Sequence, residues 1–131
     1  MAKLYGNGIN DDTLAIQELI DNANGEVVLP QPANFYLISK PLEIPSNTTL
    51  KLPRYATIRL KDSSNCVMLT NKKTPLKASR LDGSHATPFF MFLNSYVDDY
   101  APNAVCENIT IEGGIWDANN LNQQPNQALL I

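Results

Sequence analysis

The chain is 131 residues long and 44% hydrophobic, with ten basic and thirteen acidic side chains and a net charge of −3. By length it is one domain with enough apolar content to bury a core, and its charge is too weak and too mixed for the attraction that nucleic-acid phosphates demand. No run reaches the roughly 18 consecutive apolar residues of a membrane helix and no basic-then-apolar leader follows Met1, so neither a nucleic acid nor a membrane is expected as a partner.

The first predicted element is a helix at about residues 12–24. Ile16, Leu19, Ile20 and Ala23 fall at the i, i+3, i+4 and i+7 positions of one face, which must lie on something apolar. One of the two aspartates, Asp12 in preference to Asp11, is expected to cap it by accepting hydrogen bonds from the first turn, where its charge also suits the helix dipole. Gly25 supplies the left-handed residue that ends it.

After Gly25 the period becomes that of strands. Apolar or alternating runs occur at 26–29, 35–38, 41–44, 48–52, 57–60, 66–69, 89–93, 108–113 and 128–131, separated by Pro, Asn, Asp, Ser and Gly, and no second helix is predicted. Asn-Gly hairpin turns are missing between these runs, so a simple meander lacks its usual turn chemistry. Leu29, Leu50, Leu69, Phe90, Ile111 and Ile131 recur every 19 to 21 residues, which suggests a stack of coils, each unable to bury its apolar face alone. The polar segment at about 71–88 reads as a loop inserted between coils. A stack also explains the helix, because the first coil exposes apolar side chains and unpaired backbone groups that an amphipathic lid would cover.

Cys66 and Cys106 lack the spacing of a zinc site or a CxxC redox motif. Each sits beside apolar strand residues and reads as a free, buried thiol in preference to half of a disulfide between the two. Asparagines at 47, 65, 71, 108, 119 and 120 mark expected corners, where the backbone bends and the side chain can bond to it. The sequons that begin at Asn47 and Asn108 are better read as turn and strand residues than as glycan acceptors.

The stretch "YGNGINDDTLAIQELIDNANGEVVLP" carries Gly6, Gly8, Asp11, Asp12, Thr13, Ala15, Ile16 and Gln17 in a Gly-x-Gly-x-x-Asp-Asp-Thr-x-Ala-Ile-Gln pattern, and "NITIEGG" follows at 108–114. On these residues the chain resembles the N-terminal part of pectin-lyase-like right-handed parallel β-helix proteins. It is most similar to polygalacturonase-type enzymes, the family 28 glycoside hydrolases. The resemblance implies a mostly β, right-handed parallel β-helix (solenoid) filling residues 1–131 as one domain, with a capping helix, early coils and an extracellular or periplasmic home. It implies no cofactor and a pectin-like polysaccharide as substrate. It also implies catalytic carboxylates on later coils, in the inverting arrangement with a gap of roughly 6.5–9.5 Å. The same opening occurs in lyases, hydrolases and bacteriophage tailspikes, so a tailspike depolymerase and a non-enzymatic glycan-binding solenoid stand as alternatives.

No catalytic residue is expected within this chain. Asp11 and Asp12 are accounted for by the helix start, and Asp98-Asp99, between Tyr96 and Tyr100, reads as a solvated loop. Arg59 and Lys61 spell an Arg-x-Lys motif but alternate as in an ordinary strand, with their basic groups expected to face water. His85 belongs to the inserted loop. Trp116 and Asp117 are the candidates for substrate binding, the indole stacking on a sugar ring beside a carboxylate; the plainer reading is a strand end entering a turn. Gly6 and Gly8 make no phosphate loop, since no strand precedes them and no Lys-Ser/Thr follows. The apolar run at 128–131 leaves a coil without a polar cap, so further coils, or self-association through that open end, are expected to cover it.

Overall fold

Among the described residues, three parallel sheets and one α-helix account for the architecture. The computed structural model describes residues 2–72, 92–93 and 106–123. Helix α1 (Thr13–Asp21) is followed by strands β1 (Glu26–Val28), β2 (Tyr36–Ile38), β3 (Leu42–Ile44), β4 (Thr48–Lys51), β5 (Thr57–Leu60) and β6 (Leu69–Asn71). Then come β7 (Phe92–Leu93), β8 (Ile109–Glu112), β9 (Ile115–Asp117) and a 3-10 turn at Asn120–Asn122. Sheet 1 has the order β1-β4-β8, sheet 2 β2-β5-β9 and sheet 3 β3-β6-β7, and every pairing among the described strands is parallel.

Parallel neighbours cannot be joined by a tight hairpin; the chain must leave the sheet and return. It does so by visiting the other sheets, running β1, β2, β3 and then β4, β5, β6 in the same order. β7 next joins β6 in sheet 3, after which β8 and β9 extend sheets 1 and 2. The pairing aligns like with like. Val27, Leu50 and Ile111 form one column, Tyr36, Ile58 and Trp116 another, and Leu42 pairs with Leu69. Val27, Leu50, Tyr36, Ile58, Leu42 and Leu69 are buried, with Ile111 and Trp116 packed against them. Because side chains alternate across a strand, the intervening residues face outward. Lys51 stands between Glu26 and Glu112, with Nζ 3.3 Å and 3.8 Å from their carboxylates.

The equal spacing in the sequence misplaced the register. Leu50 and Ile111 do share a column, but Val27 completes it instead of Leu29, and Leu69 lies in sheet 3 beneath Phe92. Corners of unequal length are the cause: residues 52–56 separate β4 from β5, whereas Gly113 and Gly114 alone separate β8 from β9. That short corner needs glycine. Gly113 has φ 78°, and a Cβ there would lie 2.0 Å from the Leu52 carbonyl oxygen. Other corners use asparagine in the left-handed region, at Asn47, Asn65, Asn108 and Asn119, where a short polar side chain tolerates it. Asn108 Nδ2 donates to Asn47 Oδ1 at 2.9 Å, tying two successive corners together. Asn71 is no corner: it ends β6 and is buried, so the expected loop begins later, and the rest of that segment to residue 88 lies outside the described residues apart from Lys72. Phe90, Ile131 and the run at 128–131 also lie outside them. In the run at 66–69, only Leu69 enters a strand.

Helix α1 buries Ala15, Ile16 and Ile20, with Leu19 and Ala23 partly buried against the same core, and packs on β1 and β3. The residues before and within it finish the exposed edges of the first strands. Gly8 N–H donates to the Phe35 carbonyl at 2.9 Å and Asp12 N–H to that of Leu37 at 2.7 Å. Gly6 and Gly8 permit this approach, since a Cβ on either would meet Pro32 or the Phe35 ring at 2.8 Å. The Gln17 amide does the work of a neighbouring strand on β3, with Nε2 donating to the Glu43 carbonyl at 2.9 Å and Oε1 accepting the Glu43 N–H at 2.8 Å. Thr13 Oγ1 accepts the Ser39 N–H at 2.8 Å.

The expected cap is reassigned. Asp12 stands at the N-cap position but makes no side-chain bond to the helix. Its backbone is committed to Leu37, and its fully buried carboxylate turns back to accept the N–H groups of Tyr5 at 2.6 Å and Gly6 at 3.0 Å. Asp11 instead holds the first turn, accepting the Thr13 N–H at 2.8 Å and the Thr13 hydroxyl at 2.5 Å through Oδ1 and the Ser39 hydroxyl through Oδ2. Burial opposes the charge on Asp11, but these bonds and the nearby Lys61 outweigh it and hold the carboxyl below its ordinary value.

Candidate functional site

The outward face of sheet 2 carries a cluster of polar and aromatic groups. Register places Leu37, Arg59 and Asp117 in one outward column. Arg59 Nε donates to Asp117 Oδ2 at 2.7 Å, and its guanidinium carbon lies 4.2 Å from the centroid of the Phe35 ring. Ring and carboxylate together fix the plane of the guanidinium, and the bond through Nε leaves both Nη groups as donors. Asp117 is itself held, since Oδ1 accepts the Asn119 N–H at 2.8 Å.

Asn119 can take its left-handed conformation because its side chain bonds locally: Nδ2 donates to the Leu60 carbonyl at 3.0 Å and to Asp62 Oδ1 at 2.7 Å, while Oδ1 accepts Asn122 Nδ2 at 2.7 Å. Gln123 pins the same turn, donating to the Lys61 carbonyl at 3.1 Å and accepting the Asn65 N–H at 2.8 Å. A groove of 320 Å³ opens here, lined by Gly8, Phe35, Arg59, Lys61, Asn119 and Asn122 among others. It offers Arg59 and Lys61, the Asp62 carboxylate, amide groups and an aromatic ring to a ligand rich in oxygen. These are groups for binding and orienting; no nucleophile paired with a base is among them.

A second cavity, of 710 Å³, lies where the columns end, between Ile44, Leu69, Ile109, Ile111 and Trp116, with Thr70 at its wall. Among the described residues the buried Thr70 hydroxyl has no hydrogen-bond partner. The cavity's apolar wall is built by inward residues of all three sheets.

Alternation along β9 separates the two sequence candidates. Trp116 continues the inward column of Tyr36 and Ile58 and lines the large cavity, whereas Asp117 faces outward in its ion pair with Arg59. They do not form one subsite. The ring beside Asp117 is Phe35, reached through Arg59. Sequence reading passed over Phe35 as one more strand residue; its signal was parity, since Phe35, Leu37 and the outward column share one face. Asn119 gives no signal beyond a corner, and Asn122 gives none. Lys61 is exposed as expected, while Arg59 is about half-buried in its ion pair instead of simply facing water. His85, Asp98 and Asp99 lie outside the described residues. Cys66 and Cys106 are free and buried, and burial pushes the Cys66 thiol up to about 12, far from the thiolate a nucleophile needs. Among the described residues no group of His, Cys, Asp or Glu could hold a metal ion, and no helix is long and apolar enough to cross a membrane.

No protein-family model matches the chain, and no curated protein or solved structure does so either.

Proposed function

We propose that the chain builds the opening coils of a right-handed parallel β-helix and forms the capping, early-coil part of a carbohydrate-active protein. The reading is a polygalacturonase-like glycoside hydrolase acting on a pectin-like, uronic-acid-rich polysaccharide, with its catalytic carboxylates on coils other than those described. One observation carries the coil reading: the chain visits three sheets in the same order on successive passes, with in-register parallel columns. That order gives α1 its task, because the residues of the opening motif finish the edges of β2 and β3 that the first pass would otherwise leave unpaired.

The substrate class is argued from the groove. Arg59 Nη groups and Lys61 Nζ suit the carboxylates of an acidic sugar chain, and the Asn122 amide, held by Asn119, suits its hydroxyls. Exposed contacts of this kind bind weakly, with a Kd on the order of 1 mM for a short oligomer. The test is a titration of isotope-labelled protein with an oligogalacturonide and, separately, with a neutral oligosaccharide of equal length. The reading expects shifts at Arg59 Nε and at the Asn119 and Asn122 side chains with the acidic oligomer, abolished in Arg59→Ala. Equal response to the neutral oligomer, or response confined to Trp116, contradicts it. A longer product that retains polysaccharide without releasing reducing ends would favour a non-enzymatic solenoid, and a trimer in light scattering would favour a tailspike.

A further inference from the structure

Two Asn-Gly dipeptides occur, Asn7-Gly8 and Asn24-Gly25, and their surroundings are opposite. Asn7 is locked: Oδ1 accepts the N–H groups of Ile9 and Asn10, each at 2.9 Å, and Nδ2 donates to Asn10 Oδ1 at 2.8 Å. Gly8 N–H is engaged with the Phe35 carbonyl at 2.9 Å, and the Phe35 ring lies against the glycine. Asn24 and Gly25 are both exposed, and nothing lies within 4 Å of where a Cβ on Gly25 would stand. Neither the Asn24 side chain nor the Gly25 N–H has a hydrogen-bond partner among the described residues.

We propose that Asn24 is a site of spontaneous deamidation at the junction of α1 and β1, while the turn around Asn7 protects the same dipeptide there. The Gly25 backbone nitrogen gives up its proton to hydroxide and attacks Cγ of Asn24. The N–Cγ bond forms, the Cγ–Nδ2 bond breaks, and Nδ2 departs as ammonia after taking a proton from water. Water then opens the cyclic succinimide at either carbonyl, leaving aspartate or isoaspartate. Glycine makes the attack easy because no side chain shields its nitrogen and its backbone is the least restricted. At Asn7 the attacking nitrogen and the side chain it would attack are both held in hydrogen bonds that must break first.

The product has structural consequences. A carboxylate at position 24 joins Asp21 and Glu26 close to the C-terminal end of α1, where the helix dipole disfavours negative charge. Isoaspartate adds a backbone carbon just before Gly25, whose carbonyl accepts the Thr49 N–H at 2.9 Å and so sets the start of the β1–β4 register.

The experiment incubates the full chain at mildly alkaline pH, folded and in urea, and follows each asparagine by peptide mapping with fragment-ion spectra. In the folded protein Asn24 gains the mass of an amide-to-acid conversion at least about tenfold faster than Asn7, and in urea the two rates converge. Asn24→Gln removes the fast conversion and leaves the slow one at Asn7 unchanged. Equal rates in the folded protein, or no conversion of Asn24 until the chain is unfolded, would overturn the proposal.

Discussion

Replacing Gly113 by alanine is the sharpest test of the short corner between β8 and β9. The new Cβ would lie 2.0 Å from the Leu52 carbonyl oxygen, a backbone atom that cannot swing aside as a flexible side chain would. Relief requires the corner to lift from residues 52–53. That movement strains or breaks the Leu52 N–H to Glu112 carbonyl bond at 2.9 Å and the Gly114 N–H to Pro53 carbonyl bond at 3.2 Å. The left-handed conformation costs about 1–2 kcal/mol for a non-glycine residue, and two lost hydrogen bonds add about 0.5–1.5 kcal/mol each, so the sum is about 2–5 kcal/mol. Gly25→Ala is the control, since φ there is also positive but nothing stands near its Cβ, and it should cost only the backbone part of that sum, about 1–2 kcal/mol. Urea unfolding at equal slope gives both values. Equal costs at the two positions, or a silent Gly113→Ala, would refute the contact on which the corner depends.

Gln17→Ala should remove two hydrogen bonds to Glu43, lower stability by about 1–3 kcal/mol, and raise hydrogen exchange at the Glu43 amide ahead of global unfolding. Gln17→Glu, which keeps an acceptor, should restore protection of that amide. Asp11 predicts a pH dependence. Because its carboxyl is held below the ordinary value of 3.8, its stabilisation is complete above that value and is lost as pH falls through the lower folded one. Asp11→Asn should therefore be less stable than the natural chain near neutrality and converge with it in acid, as followed by unfolding midpoints against pH. Glu43 runs the other way: burial raises its carboxyl by more than the nearby Lys72, itself countered in part by Asp21, pulls it down, so Glu43→Gln should gain relative stability as pH rises through that raised value.

Much of the architecture was legible because it rests on periodicity. The i, i+3, i+4 spacing of Ile16, Leu19 and Ile20 needs only one apolar face to lie on, and the face is where the spacing puts it. Strand runs such as 48–52 and 57–60 were readable for the same reason. What failed was whatever depends on partners far away in sequence. Asp12 looked like a cap because local chemistry favours that use, yet its backbone pairing with Leu37 turned the carboxylate back toward Tyr5 and Gly6. Of the columns only the pair Leu50 and Ile111 follows from the even recurrence, because corner lengths vary, so equal spacing in sequence is not equal height in the sheets. Arg59 and Asp117 are 58 positions apart, and only the β5–β9 register reveals that they touch. Trp116 and Asp117 looked like partners because they are adjacent, which in a strand guarantees opposite faces.

The central claim is that successive passes of the chain lie parallel and in register, and an NOE spectrum resolved for methyl and aromatic groups tests it most directly. It should contain cross-peaks linking Val27 with Leu50, Leu50 with Ile111, Tyr36 with Ile58 and Ile58 with Trp116. Cross-peaks that instead reverse direction along each strand pair, or that link Leu29 to Leu50 and Leu50 to Leu69 in one column, would contradict it.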